Sequence, residues 1–177
     1  MMKKFLFLIF SVAIFSACSL KYDDAVSANE RVPEFVFKDA KMIRYENKNK
    51  TIELSAAEIE KYENSPQNYA KSVGFKAYNS NQELTTEGSC DYVYVNQEQK
   101  LYELYGNITL YAKDQNTYFY ADILRWNEKN EQLTSGRSDF VKIKKDDTVI
   151  YGSGFSASGI SKTYTFTGAV TGDIETK

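Results

Sequence analysis

The sequence contains no histidine, and this absence alone excludes many enzyme designs. Ser-His-Asp triads, Cys-His dyads and imidazole zinc sites all depend on that side chain. Proline and cysteine are almost as scarce, with 2 of each among 177 residues. The composition therefore indicates a binding protein that uses no metal and no other cofactor.

A surplus of basic charge is also missing. The chain has 22 Lys and Arg against 24 Asp and Glu, a formal net charge of -2. Proteins that bind nucleic acid usually concentrate Lys and Arg on one face. Here the basic residues are scattered, and the short cluster Lys142, Lys144 and Lys145 is more typical of a solvated strand end. We therefore expect no nucleic-acid partner.

Paired carboxylates that could act as a general acid and base are poorly represented. The adjacent pair Asp146 and Asp147 would point to opposite faces if it lay on a strand. Two adjacent Asp residues are more typical of a hairpin turn. We predict that the protein is not an enzyme and has no catalytic residues.

The only long apolar run lies at the N-terminus. It covers residues 5–17, follows Lys3 and Lys4, and is too short to cross a membrane core that needs about 20 residues. A basic start followed by a short apolar run is typical of a signal peptide.

The apolar run ends at Phe15-Ser16-Ala17-Cys18, which resembles the bacterial lipobox. In that motif, small residues precede a cysteine that is lipidated and becomes the mature N-terminus. Phe15 is a departure, since an aliphatic residue usually stands there, and a short membrane anchor is the alternative interpretation. The predicted organisation is a signal peptide, a lipidated tether and one domain: 1–17, 18–32 and 33–177.

If Cys18 is lipidated, Cys90 is the only other cysteine, and no internal disulfide can form. Cys90 lies in an apolar, tyrosine-rich run without a neighbouring base. We expect it to be a small buried side chain and not a nucleophile.

What the chain does have is alternation of apolar and polar residues, with 14 Tyr and 11 Phe. Runs rich in Phe, Tyr, Val, Ile and Thr, separated by Asn, Asp and Gly, predict β-strands throughout the domain. A helix is the alternative at 55–58, where the sequence has the form of a capping box, but the apolar period of two favours a strand. The predicted strands are 34–45, 51–62, 69–78, 83–95, 100–112, 117–126, 132–144, 148–156 and 162–174. Nine strands at this spacing indicate an all-β sandwich or open barrel.

Apolar side chains fall on one parity of most of these strands, so they share one face. In 117–126 the parity changes between Phe119 and Leu124, which predicts a bulge near Asp122. We expect the tyrosines at this face, with the ring inside and the hydroxyl at its rim. The face is either a closed sandwich core or a groove for apolar ligands. Its predicted lining is Ile52, Leu54, Val73, Phe75, Leu84, Tyr92, Leu104, Ile108, Leu110, Phe119, Leu124, Trp126, Phe166 and Val170.

Four short motifs follow one another in the second half of the chain. They are Gly106-Asn107-Ile108, Ala-Asp-x-Leu-x-Trp at 121–126, Leu-Thr-Ser at 133–135, and Gly-x-Gly-Phe at 152–155. In this order and spacing they resemble the LptC family, periplasmic components of lipopolysaccharide export that are related to the OstA-like and LptA proteins. The resemblance extends from residue 51 to residue 174, and 53–62 is similar to an early strand of the family.

The resemblance implies an open, twisted β-jellyroll of two facing antiparallel sheets that shields the acyl chains of lipopolysaccharide. It implies that the protein receives this glycolipid from an inner-membrane ABC transporter and passes it to the next bridge protein. The strand 34–45 would pair with the transporter permease, and the strand 162–174 with an LptA-like bridge protein. The implied location is the periplasmic face of a bacterial membrane, where a lipid anchor replaces the family's usual N-terminal helix; we favour the inner membrane.

A second hypothesis comes from a different class of protein. The chain would then be a periplasmic or surface β-sandwich lipoprotein, either structural or binding carbohydrate through exposed aromatic residues such as Trp126 and Tyr118.

Overall fold

The computed structural model describes residues 32–63, 65–159 and 163–174, and the described residues from Pro33 onward form one compact unit. They contain twelve strands, one short 3-10 turn and no α-helix. The strands are β1 Phe35–Glu46, β2 Asn49–Lys61, β3 Gln67–Tyr78, β4 Leu84–Asn96, β5 Leu101–Ala112, β6 Thr117–Asn127, β7 Gln132–Thr134, β8 Phe140–Lys145, β9 Thr148–Ser153, β10 Phe155–Ser158, β11 Thr163–Phe166 and β12 Val170–Ile174. The predicted signal peptide, the lipid site at Cys18 and nearly all of the tether lie outside the described residues.

The first six strands form an antiparallel meander in which each strand pairs with its neighbours in sequence. Beyond β6 the sheet divides, because residues 125–127 pair with β7 while residues 117–121 pair with β8. The first branch continues through β10 to β11, and the second continues through β9 to β12. We call the first branch, together with the halves of β1–β6 that adjoin it, layer 1. The second branch, together with the other halves of β1–β6, is layer 2.

Each of the six long strands contributes to both layers because its pairing is interrupted near the middle of its length. In strand order, the interruptions follow a line across the sheet, which we call the crease: Asp39, Ala57, Ser72, Asp91, Gly106 with Asn107, and Asp122. Several of these residues have positive φ, including Gly106 at 73° and Asn107 at 47°. Gly106 and Asn107 together face the single residue Asp122, so the predicted bulge is confirmed, with its extra residue on β5.

The two layers face each other across an apolar interior. The Phe119 ring, in layer 2, lies 5.8 Å from the Phe155 ring and 6.2 Å from the Tyr164 ring, both in layer 1. The sheet is not closed, since β1 at one end does not pair with β11 or β12 at the other. The predicted fold, an open β-jellyroll of two antiparallel layers, is confirmed.

Two local predictions are also confirmed. The strand β2 runs without a break in secondary structure from Asn49 to Lys61, so the segment with a capping-box sequence is a strand. Asp146 and Asp147 form the hairpin turn between β8 and β9.

Three segments that were each predicted to be a single strand are in fact two strands, one in each layer. The segment 132–144 divides into β7 and β8, 148–156 into β9 and β10, and 162–174 into β11 and β12. At the second division Gly154 has a φ of 63°, which favours glycine. At the third, the Gly168 N–H donates to the Ser153 carbonyl, 3.0 Å away, as the chain crosses to layer 2. Apolar and polar residues go on alternating where the chain crosses between the layers, so the sequence pattern does not show where one strand ends and the next begins.

Candidate functional site

The candidate site is the inner face, meaning the sides of layers 1 and 2 that face each other. Its centre is a core of buried apolar residues contributed by both layers. The members are Ala56, Ala70, Val73, Cys90, Val93, Leu104, Ile108, Leu110, Phe119, Leu124, Val141, Ile143 and Phe155. None of them belongs to β1 or β12, so the core lies toward the middle and the β10 side of the molecule.

At the β10 side the two layers are packed together, which we call the closed end. Phe155 is 1% exposed, and its ring also contacts that of Phe166 at 5.6 Å. The Phe166 ring occupies the space above Gly152, where an added Cβ would lie 2.5 Å from a ring atom. A glycine is therefore required there for the two layers to approach this closely.

At the β1 side the inner face is open to solvent. Strand β1 contains no buried residue. By strand register, Phe37 shares a face with Ile59, and Met42 with Leu54, and both partners pack against the core. Phe35, Phe37 and Met42 are nevertheless 48%, 51% and 58% exposed. We call this region the open end; here the apolar face extends continuously from the core to an accessible edge.

The structure places the predicted lining residues at different depths. Six lie in the core: Val73, Leu104, Ile108, Leu110, Phe119 and Leu124. Six are partly buried: Ile52, Leu54, Phe75, Leu84, Trp126 and Phe166. Val170 shares a face with buried Val141 through Gly152, but it lies on the edge strand β12 and is exposed.

Tyr92 was wrongly predicted to line the inner face. It is 54% exposed and pairs with Lys71 and Tyr105 on the outer side of layer 1. The crease at Asp91 shifts the alternation by one residue, so that Cys90 and Val93 are both buried while Tyr92 points outward. A single-residue shift exchanges the two faces of a strand, which is the physical reason for the error.

The expectation that the tyrosines lie at the inner face holds for only some of them. Tyr102 and Tyr164 pack against the core, but many others lie on the outer face. A shallow outer trough of about 640 Å³ in layer 1 is lined partly by Tyr62, Tyr69, Tyr92, Tyr94 and Tyr105. In layer 2 the rings of Tyr111 and Tyr118 stack with centroids 4.4 Å apart.

The two aromatic residues proposed for carbohydrate binding lie on opposite faces. Trp126 pairs with Tyr102 and Leu133 on the inner face. Tyr118 lies between Tyr111 and Lys144 on the outer face. They cannot together form one binding surface.

The sequence analysis missed Phe35, Phe37 and Met42 as inner-face residues. The signal for the first two was present, since they are alternate apolar residues in one strand. Met42 has the other parity, because the crease at Asp39 intervenes, where φ is 50°.

Cys90 is a free, buried cysteine, as expected. Burial, with a smaller contribution from the neighbouring Asp91 carboxylate, raises the pKa of the Cys90 thiol to about 11. The thiol is therefore protonated at neutral pH and is a poor nucleophile.

Within the part of the chain that the structure describes, no helix is long and apolar enough to span a membrane. The same residues contain no cluster of three or more His, Cys, Asp or Glu side chains that could hold a metal ion.

A family model of known proteins matches this chain. No curated protein matches the sequence at a significant level. The family model described as lipopolysaccharide-assembly, LptC-related, matches residues 4–175. Members of this family are periplasmic, membrane-associated components of lipopolysaccharide transport, and the family is not one of enzymes. Because the match covers nearly the whole sequence, the chain belongs to the LptC family of lipopolysaccharide-assembly proteins.

Proposed function

We propose that this protein shields the acyl chains of lipopolysaccharide between its two layers while the glycolipid crosses the periplasm. The observation that supports this proposal is the continuity of the inner face from the closed end to the open end. A protein that used its apolar face only as a core would cover it at both sides, whereas here Phe35, Phe37 and Met42 leave it accessible.

The physical chemistry of this face suits an acyl chain. Hydrocarbon needs apolar walls and no directional partners, and each buried CH₂ gains about 0.8 kcal/mol. A chain of about a dozen carbons would gain on the order of 10 kcal/mol before the cost of ordering it. Transfer between two similar grooves is then almost neutral in free energy. The sequence has no phosphate-binding loop, so we assign the direction of transport to the ATP-hydrolysing transporter.

The geometry favours entry at the open end. The closed end is filled by aromatic rings, among them Phe119, Phe155 and Phe166. An acyl chain would first contact Phe37 and Met42 and then extend toward Leu54 and the core. Occupying the deeper positions would require the layers to separate.

The partners would join at the edges of the sheet by adding strands. Among the described residues, strand β1 pairs only with β2, so its other side is available to the transporter permease. The predicted C-terminal strand is divided, and we assign pairing with the bridge protein to β12, which contains Asp173 as its only charged residue. An unprotected edge of this kind is suited to pairing with another chain. A lipid at Cys18 would hold the domain at the inner membrane.

The test uses two neighbouring positions on β1 that differ in the face they occupy. A photo-crosslinking residue replaces Met42, on the inner face, or Ile43, on the outer face, where the native side chains are 58% and 49% exposed. We expect lipopolysaccharide adducts from position 42 and few or none from position 43. Equal adduct yields at the two positions would show that the inner face has no special role in binding.

A further inference from the structure

One ion pair joins the two layers on the side away from the crease. Arg44 lies on β1 in layer 2, beside Ile52 of β2. Its Nη2 atom is 3.3 Å from the Oε1 atom of Glu128, which follows β6 at the tip of layer 1. By contrast, several other ion pairs each lie within one layer or its turns: Arg44–Glu46, Lys50–Glu53, Lys71–Glu58, Lys71–Glu60, Lys100–Glu128 and Arg125–Glu103.

Glu128 is held in place by further donors from layer 1. The Tyr102 hydroxyl donates to its carboxylate at 2.8 Å, and the Lys100 ammonium donates at 3.3 Å. The Glu128 backbone N–H donates to the Lys100 carbonyl at 3.0 Å. On the other side, Arg44 also pairs with Glu46 at 2.7 Å. We call the group Arg44, Glu46, Lys100, Tyr102 and Glu128 the clasp.

The clasp lies where the apolar interior meets water. Tyr102 shows this directly, because its ring packs against the core while its hydroxyl contacts Glu128. A glycolipid with acyl chains between the layers must leave its polar headgroup at such a rim. Two cations, Arg44 and Lys100, share the carboxylate of Glu128 there.

A phosphate group would fit beside the two cations Arg44 and Lys100. It offers several acceptor oxygens in place of the two of a carboxylate, and guanidinium binds it with paired hydrogen bonds. The ion pair across the layers is partly exposed and contributes little to stability. A phosphate could therefore displace Glu128 at small cost.

We propose that the clasp is a latch that a phosphorylated lipid headgroup opens. The phosphate takes the place of Glu128 beside Arg44 and Lys100, the direct link between the layers is lost, and the layers separate to admit the acyl chains. This inference rests on the lipid-shielding function proposed above and assigns the part of the lipid that is recognised.

The first experiment measures the separation of the layers without any lipid. Spin labels on Ile43→Cys and Lys129→Cys report the distance between β1 and the tip of layer 1 in the full chain. We expect Glu128→Gln to lengthen and broaden this distance distribution. The matched control is Glu103→Gln, which removes a 2.7 Å ion pair with Arg125 inside layer 1 and should leave the distribution unchanged. Identical distributions for Glu128→Gln and the wild type would overturn the latch.

The second experiment identifies the ligand. Wild type and Arg44→Gln are titrated with lipopolysaccharide and with the same lipid after phosphatase treatment. We expect Arg44→Gln to bind the phosphorylated lipid about tenfold more weakly and the treated lipid unchanged. Lys71→Gln, which removes a cation that pairs only within layer 1, is the control and should bind both as the wild type does.

The remaining outcomes separate this inference from the proposed function. Equal binding of both lipids by the wild type would overturn the latch and leave lipid shielding standing. Binding of neither lipid would overturn both. Inorganic phosphate is added alone as a third ligand, and if it widens the spin-label distance as the lipid does, a free anion is recognised and the assignment to a headgroup is wrong.

Discussion

The closed end and the open end of the inner face use the same kinds of residue for different purposes. At the closed end Phe155 is surrounded by the rings of Phe119, Tyr164 and Phe166 and is almost inaccessible. At the open end Phe35 and Phe37 contact each other, with ring centroids 6.1 Å apart, and about half of each side chain remains in water. Burial by a facing layer, and not residue type, decides which aromatic residues stabilise the fold and which are available for a ligand.

This contrast depends on the topology beyond β6. At the closed end, the chain crosses between the layers several times from β7 to β12 and so connects them directly. Strands β1 and β2 pass from one layer to the other at the crease. The open end is joined across the layers by the Arg44–Glu128 contact. One side of the molecule is thus held by chain crossings and packed rings, and the other by a partly exposed ion pair.

The largest difference between the two ends should appear on removal of an aromatic ring. We expect Phe155→Ala to lower the free energy of unfolding by about 3–5 kcal/mol, because it leaves a cavity at the closed end. Phe37→Ala should cost less than about 1 kcal/mol, since much of its ring is already hydrated. Urea denaturation of both variants measures the difference. Similar losses would mean that the open end is also part of the core.

A smaller loss should follow from a change at the crease, which both ends share. Gly106 has a φ of 73°, and an added Cβ would lie 2.5 Å from an Asp91 carboxylate oxygen. We expect Gly106→Ala to cost about 1–2 kcal/mol from the left-handed backbone, plus the displacement of Asp91. In the double variant with Asp91→Ala only the backbone cost should remain. Urea titrations of the single and double variants measure the two contributions, and a neutral Gly106→Ala would show that the crease is not strained.

The smallest effect should be the response of the open end to acid. Burial raises the pKa of Glu128, but hydrogen bonds from Arg44, Tyr102 and Lys100 together lower it by more. The pKa is therefore below its ordinary value. A lowered pKa means that the interaction stabilises the folded state fully above the ordinary Glu pKa of about 4.3 and is lost as pH falls through the lower, folded value. Arg44, with its pKa raised by Glu128, stays charged throughout.

We therefore expect the spin-label distance across the layers to increase in the wild type as the pH falls through the lowered pKa of Glu128. Glu46 also pairs with Arg44, so Glu128→Gln is the necessary comparison: this variant should already be open at neutral pH and change little in acid. A wild type that stays closed after Glu128 has taken up its proton would contradict the role given to this residue.

Much of the fold could be predicted from the alternation of side chains. The strand at 55–58, the turn at Asp146 and Asp147 and the bulge opposite Asp122 all follow from local patterns, and burial of Cys90 follows from its apolar surroundings. The site was predicted less well. Tyr92 was assigned to the wrong face because apolar or aromatic residues occupy both parities after Asp91, so the shift of one residue leaves no mark in the pattern there. Met42 was missed for the same reason, since Ile43 follows it on the other parity.

Several of the motifs that resemble the LptC family lie where the strands depart from regular geometry. Gly106 and Asn107 form the part of the crease on β5, where the Asn107 amide donates to the Asp91 carboxylate at 2.7 Å. Gly152 and Gly154 lie where the chain passes between the layers under the Phe166 ring. Ser135 accepts the Phe155 N–H at 3.0 Å beside another crossing. These residues are needed for geometry that departs from a regular strand.

The sequence by itself determined that the chain is a β-protein with an apolar face, because a strand's side chains alternate whatever surrounds them. It also determined the family, through residues that regular strands do not need. Only the tertiary structure decided which apolar residues are buried and which are accessible, and which charges meet across the layers. Arg44 and Glu128 are 84 residues apart in the chain, and their contact exists only because the meander folds at its crease and brings the two tips together.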